Sequence, residues 1–309
     1  MVEPKTAVDW LRFRTRAEVL PAFDALRPLF GRLAENLNLQ PLDRGKDGFQ
    51  QACAIRIEDM PIGRMDYGGA SQRGWVRVNI TGAGCEWVQR WDAIDGVEAL
   101  AEAEIKRLDV ALTTWKGEVT HEGIKASHTA GHFTCGGRPP DMQTIENSNE
   151  RAGRTCYVGN RKSSDKFFRG YEKGFELAGK MGPLGATCTQ INGFPLEDIY
   201  RCEVEFKDET RPIPWEVIDR RDEYFAGSYP ALAQLLPGVE SDILMRRPDR
   251  QPQVDLAAAL ANIRVQYGAT LFTALTCYGG DFLRVWDQVV GSAHNPNLLA
   301  AGVLLVDHE

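Results

Sequence analysis

The sequence predicts an α+β fold, a mainly antiparallel sheet with packed helices, and three observations point to it. Short runs with strand-like alternation recur along the chain, set between Gly and Pro turns. An order of strand, helix, three strands and helix occurs twice before the tail, which predicts an internal structural duplication. The tail then changes texture, with Ala-rich and Leu/Phe/Trp faces that predict a helical C-terminal module. The expected division is one domain over 1–238, in two similar halves of 1–105 and 106–238, followed by the helical module over 239–309.

Val8 to Phe13 alternates well enough for a strand. From Arg16 to Leu37, apolar residues at Val19, Leu20, Phe23, Leu26, Leu29, Phe30, Leu33 and Leu37 predict an amphipathic helix, with a late start or kink imposed by Pro21 and Pro28. Strands follow at Gln51–Ile57 and Trp75–Ile80 around the Gly68-Gly69 turn, and Glu86 to Leu108 reads as helical with a break at Gly96. The pattern then restarts. Arg107 to Leu112 is a strand, with Asp109 placed as Asp9 is in the first half, and His121 to Ala130 is a short helix. Strands at Thr155–Val158, Lys166–Glu172 and Tyr200–Lys207 and a helix near Pro214 complete the second half. Arg246 to Pro252 is a Pro-bounded connection, and Leu256–Tyr267 and Leu271–Val290 are the helices of the tail.

Composition removes several classes. The 309 residues, 43% hydrophobic and 26% charged, have an ordinary globular balance. No apolar run approaches the roughly 18–20 residues of a membrane span, so no membrane partner is expected, and the charged N-terminus lacks a secretory h-region. Seven cysteines scattered singly, odd in number and without a CxxC pair, describe neither a disulfide framework nor a zinc site; reduced thiols in a cytoplasm are the plain reading. The net charge of −7 excludes a globally basic nucleic-acid coat protein.

Locally the sign reverses. Arg151 to Lys173 holds seven Lys or Arg and two acidic residues, with Arg154, Arg161, Lys162 and Lys166 as candidate phosphate contacts. If the strand runs on, Arg169, Tyr171 and Lys173 share a face, and two flanking cations favour a phenolate; the alternative is a half-exposed strand tyrosine. Two acidic strands complement the basic stretch. Asp109 stands beside Arg107, and Glu203 and Glu205 beside Arg201, on faces opposite their apolar neighbours. These carboxylates suit Mg2+ or Mn2+, or else cross-strand salt bridges with Arg107 and Arg201. His128 and His132 have helical metal spacing, but Gly131 argues against a helix there. No His-hydrophobic-His triplet occurs, and Gly82-Ala83-Gly84 and Gly136-Gly137-Arg138 lack the spacing and Lys of a Walker loop.

In order along the chain, Asp9-Trp-Leu-Arg-Phe, Tyr67-Gly-Gly, Val78-Asn-Ile-Thr-Gly-Ala-Gly-Cys, Arg107-Leu-Asp-Val-Ala-Leu, Phe133-Thr-Cys-Gly-Gly-Arg-Pro-Pro, the Tyr157–Lys173 block and Arg201-Cys-Glu-Val-Glu-Phe-Lys form one pattern. With them the chain resembles the replication initiation factor family of rolling-circle plasmids and filamentous phages, over roughly residues 8–230, and most of all its phage-type members. The resemblance implies a DNA nicking-closing enzyme. Tyr171 would attack the scissile phosphate, giving a 5′-phosphotyrosine and a free 3′-hydroxyl primer, with Tyr157 the second candidate nucleophile. Asp109 and Glu203 would hold a divalent metal with Glu205 as a third ligand. Family members often carry acids where this chain has Thr113-Thr114, a gap for Glu118 or Glu205 to fill. The expected partners are origin DNA, single-stranded or as an extruded hairpin, a host helicase and polymerase, and a second copy in a homodimer, all in a bacterial host cytoplasm. A conjugative relaxase of the same chemistry, a non-catalytic origin-binding protein and a water-using metal nuclease are the rival expectations.

Overall fold

The structure is a computed structural model, and it describes residues 5–134, 139–241 and 256–295. The Gly136-Gly137-Arg138 turn, the Arg246–Pro252 connection and residues 296–309 lie outside the described residues. The chain divides into two compact units, Met1–Arg247 and Pro248–Glu309.

The first unit is built on one ten-stranded antiparallel sheet. Its first half contributes β1 (Ala7–Thr15), helix α1 (Val19–Leu26), β2 (Leu37–Leu42), β3 (Gln51–Ile57), β4 (Met60–Tyr67), β5 (Val76–Ile80) and the short helices α2 (Gly82–Cys85) and α3 (Asp95–Glu98). The second half contributes β6 (Glu104–Thr114), α4 (His121–Thr129), β7 (Met142–Ile145), β8 (Thr155–Val158), β9 (Lys166–Tyr171) and α5 (Lys173–Lys180). It continues with the small hairpin β10 (Gln190–Ile191) and β11 (Phe194–Pro195), the strand β12 (Tyr200–Lys207), and helices α6 (Arg221–Ser228) and α7 (Pro230–Ala233).

The strand order is β2-β3-β4-β5-β1-β6-β12-β9-β8-β7. Each half therefore opens with its innermost strand, crosses by a helix to its outermost strand, and returns inward through three more. The halves are mirror images in strand order about the β1–β6 seam, the arrangement that the duplicated pattern in the sequence predicts.

One face of the sheet is apolar. Leu11 and Phe13 on β1, Val78 on β5, Leu108 and Val110 on β6, Phe168 on β9 and Val204 on β12 are buried with Leu26, Phe133 and Phe225. Each fully buried aliphatic or aromatic side chain contributes about 1.5–3 kcal/mol. The alternate positions, among them Arg12, Arg77, Arg107, Asp109, Glu203, Arg169 and Tyr171, project to the opposite, open face.

Some expectations need correction. The helix over Arg16–Leu37 ends at Leu26, and tight turns cover Arg27–Asn36; Gly31 there takes φ +52, which continues no helix. Only α3 is α-helical between Glu86 and Ala103; it contains Gly96, where a break was expected, and β6 begins at Glu104, inside the expected helix. In the second unit α8 (Leu256–Cys277) runs through the expected break and stops where Gly279 and Gly280 turn left-handed. Asp281 then caps α9 (Phe282–Val289) by accepting from Arg284 N. Among the described residues no helix is long and apolar enough to cross a membrane.

Candidate active site

On the open face a cleft of about 890 Å3 opens over β6, β12, β9 and β8, walled by the α2 and α5 ends. It gathers Asp109, Glu203, Arg169, Tyr171, Lys173, Arg154 and Arg161, seven of the residues singled out from sequence, from stretches up to about a hundred residues apart. Strand register does the gathering. Glu203 pairs with Arg169 and Arg201 with Tyr171 across β12–β9, while Tyr157 and Thr155 sit opposite Arg169 and Tyr171 on β8.

Tyr171 is the last residue of β9, and α5 begins at Lys173, so these two do not share a strand face as expected. The helix start returns Lys173 to the same place by another route. Its Nζ donates to the Tyr171 hydroxyl at 3.4 Å and to Glu176 at 3.0 Å, and the Arg169 guanidinium lies 4.9 Å over the Tyr171 ring. Gly174 makes this possible, because a Cβ there would lie 2.1 Å from the Leu196 carbonyl oxygen. Glu172, expected to turn away, lines the cleft and accepts from Arg154 N, Nε and Nη2.

Burial governs the titration of these groups. It pushes the Tyr171 phenol well above its ordinary value, with Glu176 and Glu203 adding to the rise and Arg201 and Arg169 opposing it. The flanking cations therefore do not hold a phenolate at neutral pH. Burial and then Arg201 lower Lys173, while hydrogen bonds from Lys180 and Lys173 overcome burial to bring Glu176 down to about 2.

The three carboxylates expected to hold metal lie on neighbouring strands, Glu205 directly opposite Asp109, and all are buried. Each faces an arginine. Asp109 accepts from Arg107 Nη2 at 2.6 Å, Glu203 from Arg169 Nη2 at 2.5 Å, and Glu205 from Arg161 Nη2 at 2.9 Å with Arg107 3.0 Å away. As the chain stands, all three carboxylates are in salt bridges, but of the two arginines expected only Arg107 takes part, since Arg201 pairs with Asp9, and Glu205 does not line the cleft. Burial, reinforced by Glu203 and Glu205 against Arg107, pushes Asp109 up to about 7.

A consequence is measurable. The folded chain retains a proton on Asp109 that the unfolded chain releases above its ordinary value of 3.8. Stability is therefore lost as pH rises from about 4 to about 7, and is level beyond. Asp109→Asn carries no such penalty, so its melting temperature relative to the unsubstituted protein rises over that window; a difference independent of pH contradicts the assignment.

Asp9 enters the cleft through a β-bulge. The β1–β6 register shifts between Val8 and Trp10, and the extra residue, Asp9, accepts from Arg201 Nη1 at 2.7 Å. Neither this nor the Glu176 partnership was read from the sequence.

Other expected residues go elsewhere. Lys166 follows the β9 alternation to the helical face, where it donates to the Ser228 carbonyl and lies 4.4 Å over the Tyr229 ring. Lys162 lines a neighbouring recess with Gln143, Asn160 and Phe167; the Tyr157 ring, stacked on Phe167 at 5.6 Å, lines both that recess and the cleft. Thr113 accepts from Arg201, and Glu118 accepts from Lys116 N outside the cleft, so Glu118 does not replace an acid there. His128 and His132 turn to Pro140 O and Ser127 Oγ. The one group of described residues whose ligand atoms come within 4.8 Å of one another, close enough for a metal ion, is His121, Glu122 and Glu146, outside the cleft and beside Lys125.

Known proteins share parts of this architecture. Residues 103–243 match the family model described as replication initiation factor. Among solved structures, the rolling circle replication initiator protein from Geobacillus stearothermophilus has a similar fold, with a TM-score of 0.52 and 23% identity over 72% of this chain and 83% of that one. A comparison with curated proteins gives no match. The segment that builds the floor of the cleft, with Asp109, Arg169, Tyr171 and Glu203, is thus a match to the replication initiation factor family, in agreement with the motifs that resemble it.

Proposed function

We propose that the protein initiates rolling-circle replication by nicking and rejoining origin DNA through Tyr171. The observation that carries this reading is the cleft itself, which brings Arg169, Arg201, Lys173 and the buried carboxylates Asp109 and Glu203 into one lining with Tyr171. Tyr171 Oη loses its proton and attacks the scissile phosphorus, the bond to the 3′-oxygen breaks, and that oxygen takes up a proton from water and leaves as a 3′-hydroxyl able to prime a polymerase. The new phosphotyrosine ester keeps the energy of the bond it replaces, so attack by a 3′-hydroxyl rejoins the strand without ATP.

Each neighbour has a part. The phenol is protonated at neutral pH, and the Lys173 ammonium, 3.4 Å away, is placed to stabilise the negative charge that develops on Tyr171 Oη as it loses that proton. Arg169 and Arg201 face the charge that develops on the phosphoryl oxygens. Arg169 Nε is buried without a partner among the described residues, so one donor is uncommitted. Asp109 and Glu203 are the residues that would hold Mg2+ or Mn2+: their donors are all oxygen, and the repulsion that Glu203 exerts on Asp109 is one that a hard cation would relieve. Such an ion would neutralise charge on the phosphoryl group. A host helicase and polymerase, a second copy of the chain and a bacterial cytoplasm belong to the same reading.

A suicide oligonucleotide from the replicon's own origin tests it. With Mg2+ or Mn2+ the protein is expected to form a denaturant-resistant DNA adduct that EDTA suppresses. Cleavage to free 5′-phosphate ends without an adduct means a water nuclease, and tight binding without cleavage means a silent origin-binding protein.

A further inference from the structure

One cation on the open face is set apart from the rest. Arg12, half-buried on β1 between the inward-facing Leu11 and Phe13, stands opposite Asn79 on β5 and Arg107 on β6. Its Nε donates to Asn79 Oδ1 at 2.5 Å. No carboxylate lies within 4 Å of its guanidinium among the described residues, and Nη1 and Nη2 have no described partner.

Its neighbours show how unusual this is. On β4, β5, β1, β6, β12 and β9, every other arginine of the open face has a carboxylate partner among the described residues: Arg64 and Arg77 have Asp66, Arg14 has Glu104, Arg107 has Asp109, and Arg201 and Arg169 have Asp9 and Glu203. Burial, and then the further cations Arg107 and Arg77, weaken the hold of Arg12 on its proton, against the smaller opposing pull of Asp47 and Asp109. A half-buried guanidinium among like charges is costly to keep, and an anion with a planar pair of acceptors removes that cost.

Register also places Arg12 in a line. Arg64, Asn79, Arg12, Arg107 and Lys207 are successive cross-strand partners, from β4 through β5, β1 and β6 to β12. At about 4.8 Å between strands this row runs roughly 19 Å across the seam between the halves. Arg107 belongs both to the row and to the wall of the cleft. A ligand with negative charges in series, leaving the cleft past Arg107, meets Arg12 next.

We infer that Arg12 anchors a second phosphate site, outside the cleft, that grips the backbone of the DNA strand where it passes onto the first half of the sheet. The ligand is a phosphodiester in a polyanion, and the site rests on the proposed DNA reading. It assigns the first half a role of its own: that half carries the strand while the second half cleaves it.

The test measures binding of a fluorescent oligothymidylate, about twenty nucleotides long, to the full-length protein between about 50 and 200 mM salt. Arg12→Gln is expected to reduce the slope of log affinity against log salt by about 0.7, one phosphate contact on a single strand, and Arg12→Lys to retain the slope. Arg14→Gln, which removes a paired arginine two positions along the same strand, leaves the slope unchanged. The inference is overturned if Arg12→Gln leaves the slope intact, if Arg14→Gln lowers it equally, or if Arg12→Lys loses it as well. Adduct formation by the unsubstituted protein on its origin oligonucleotide separates the two claims. An adduct with no Arg12 effect removes the site and keeps the nicking reading; an Arg12 effect with no adduct does the reverse.

Discussion

Tyr171→Phe is expected to abolish the covalent DNA adduct, by about 10^4-fold or more, the scale on which enzymes lose rate when a nucleophile is removed. The substitution removes one oxygen from a ring that stays in place between Arg169 and Lys173. With that oxygen goes the 3.4 Å hydrogen bond from Lys173, but Lys173 retains Glu176, so stability should change by no more than about 1 kcal/mol. Disappearance of the adduct with an unchanged melting temperature therefore reports chemistry. Tyr157→Phe is the control. Its ring keeps its stack on Phe167, and the adduct should persist. An adduct that vanishes with Tyr157→Phe but not with Tyr171→Phe moves the nucleophile to β8.

The largest expected effect on stability comes from the first half of the sheet. Asp66, fully buried on β4, accepts from Arg64 Nε at 2.7 Å, from Arg77 Nη2 at 2.8 Å and from Lys46 N at 3.1 Å. Asp66→Ala leaves a buried amide and two guanidinia without their shared acceptor, and removing one partner of a buried pair costs about 3–5 kcal/mol. For a unit of this size that corresponds to a fall in melting temperature of roughly 10 °C. Arg77 keeps Asp47, but that carboxylate is exposed and screened. A change below about 1 kcal/mol in thermal or urea unfolding would mean that the Asp66 network behaves as a surface cluster.

How far the sequence could be read depended on whether a feature was local. Alternation in Arg107–Leu112 and Tyr200–Lys207 identified β6 and β12 and the side of each on which the carboxylates stand, because strand period alone decides that. The repeated order of elements predicted the mirrored halves. The second strand of the β3–β4 hairpin was not legible, since Pro61 and Gly63 interrupt its pattern, and β2 and β7 are edge strands with few buried residues. The basic stretch misled because nearness in sequence is not nearness on a face. Arg154, Arg161, Arg169 and Lys173 reach the cleft, while parity turns Lys166 to the helices and a turn carries Lys162 to the next recess. Pairing partners came from elsewhere in the chain: Asp9 reaches Arg201 only because β1 bulges, and no periodicity announces a bulge.

The central claim is that Tyr171 carries the DNA, and mapping the adduct tests it most directly. The protein is trapped on a suicide oligonucleotide, digested with nuclease and protease, and the nucleotide-bearing peptide is sequenced by mass spectrometry. The account predicts a phosphodiester-linked nucleotide on Tyr171, in the peptide that follows Arg169. A nucleotide found on Tyr157, or on any other residue, contradicts it.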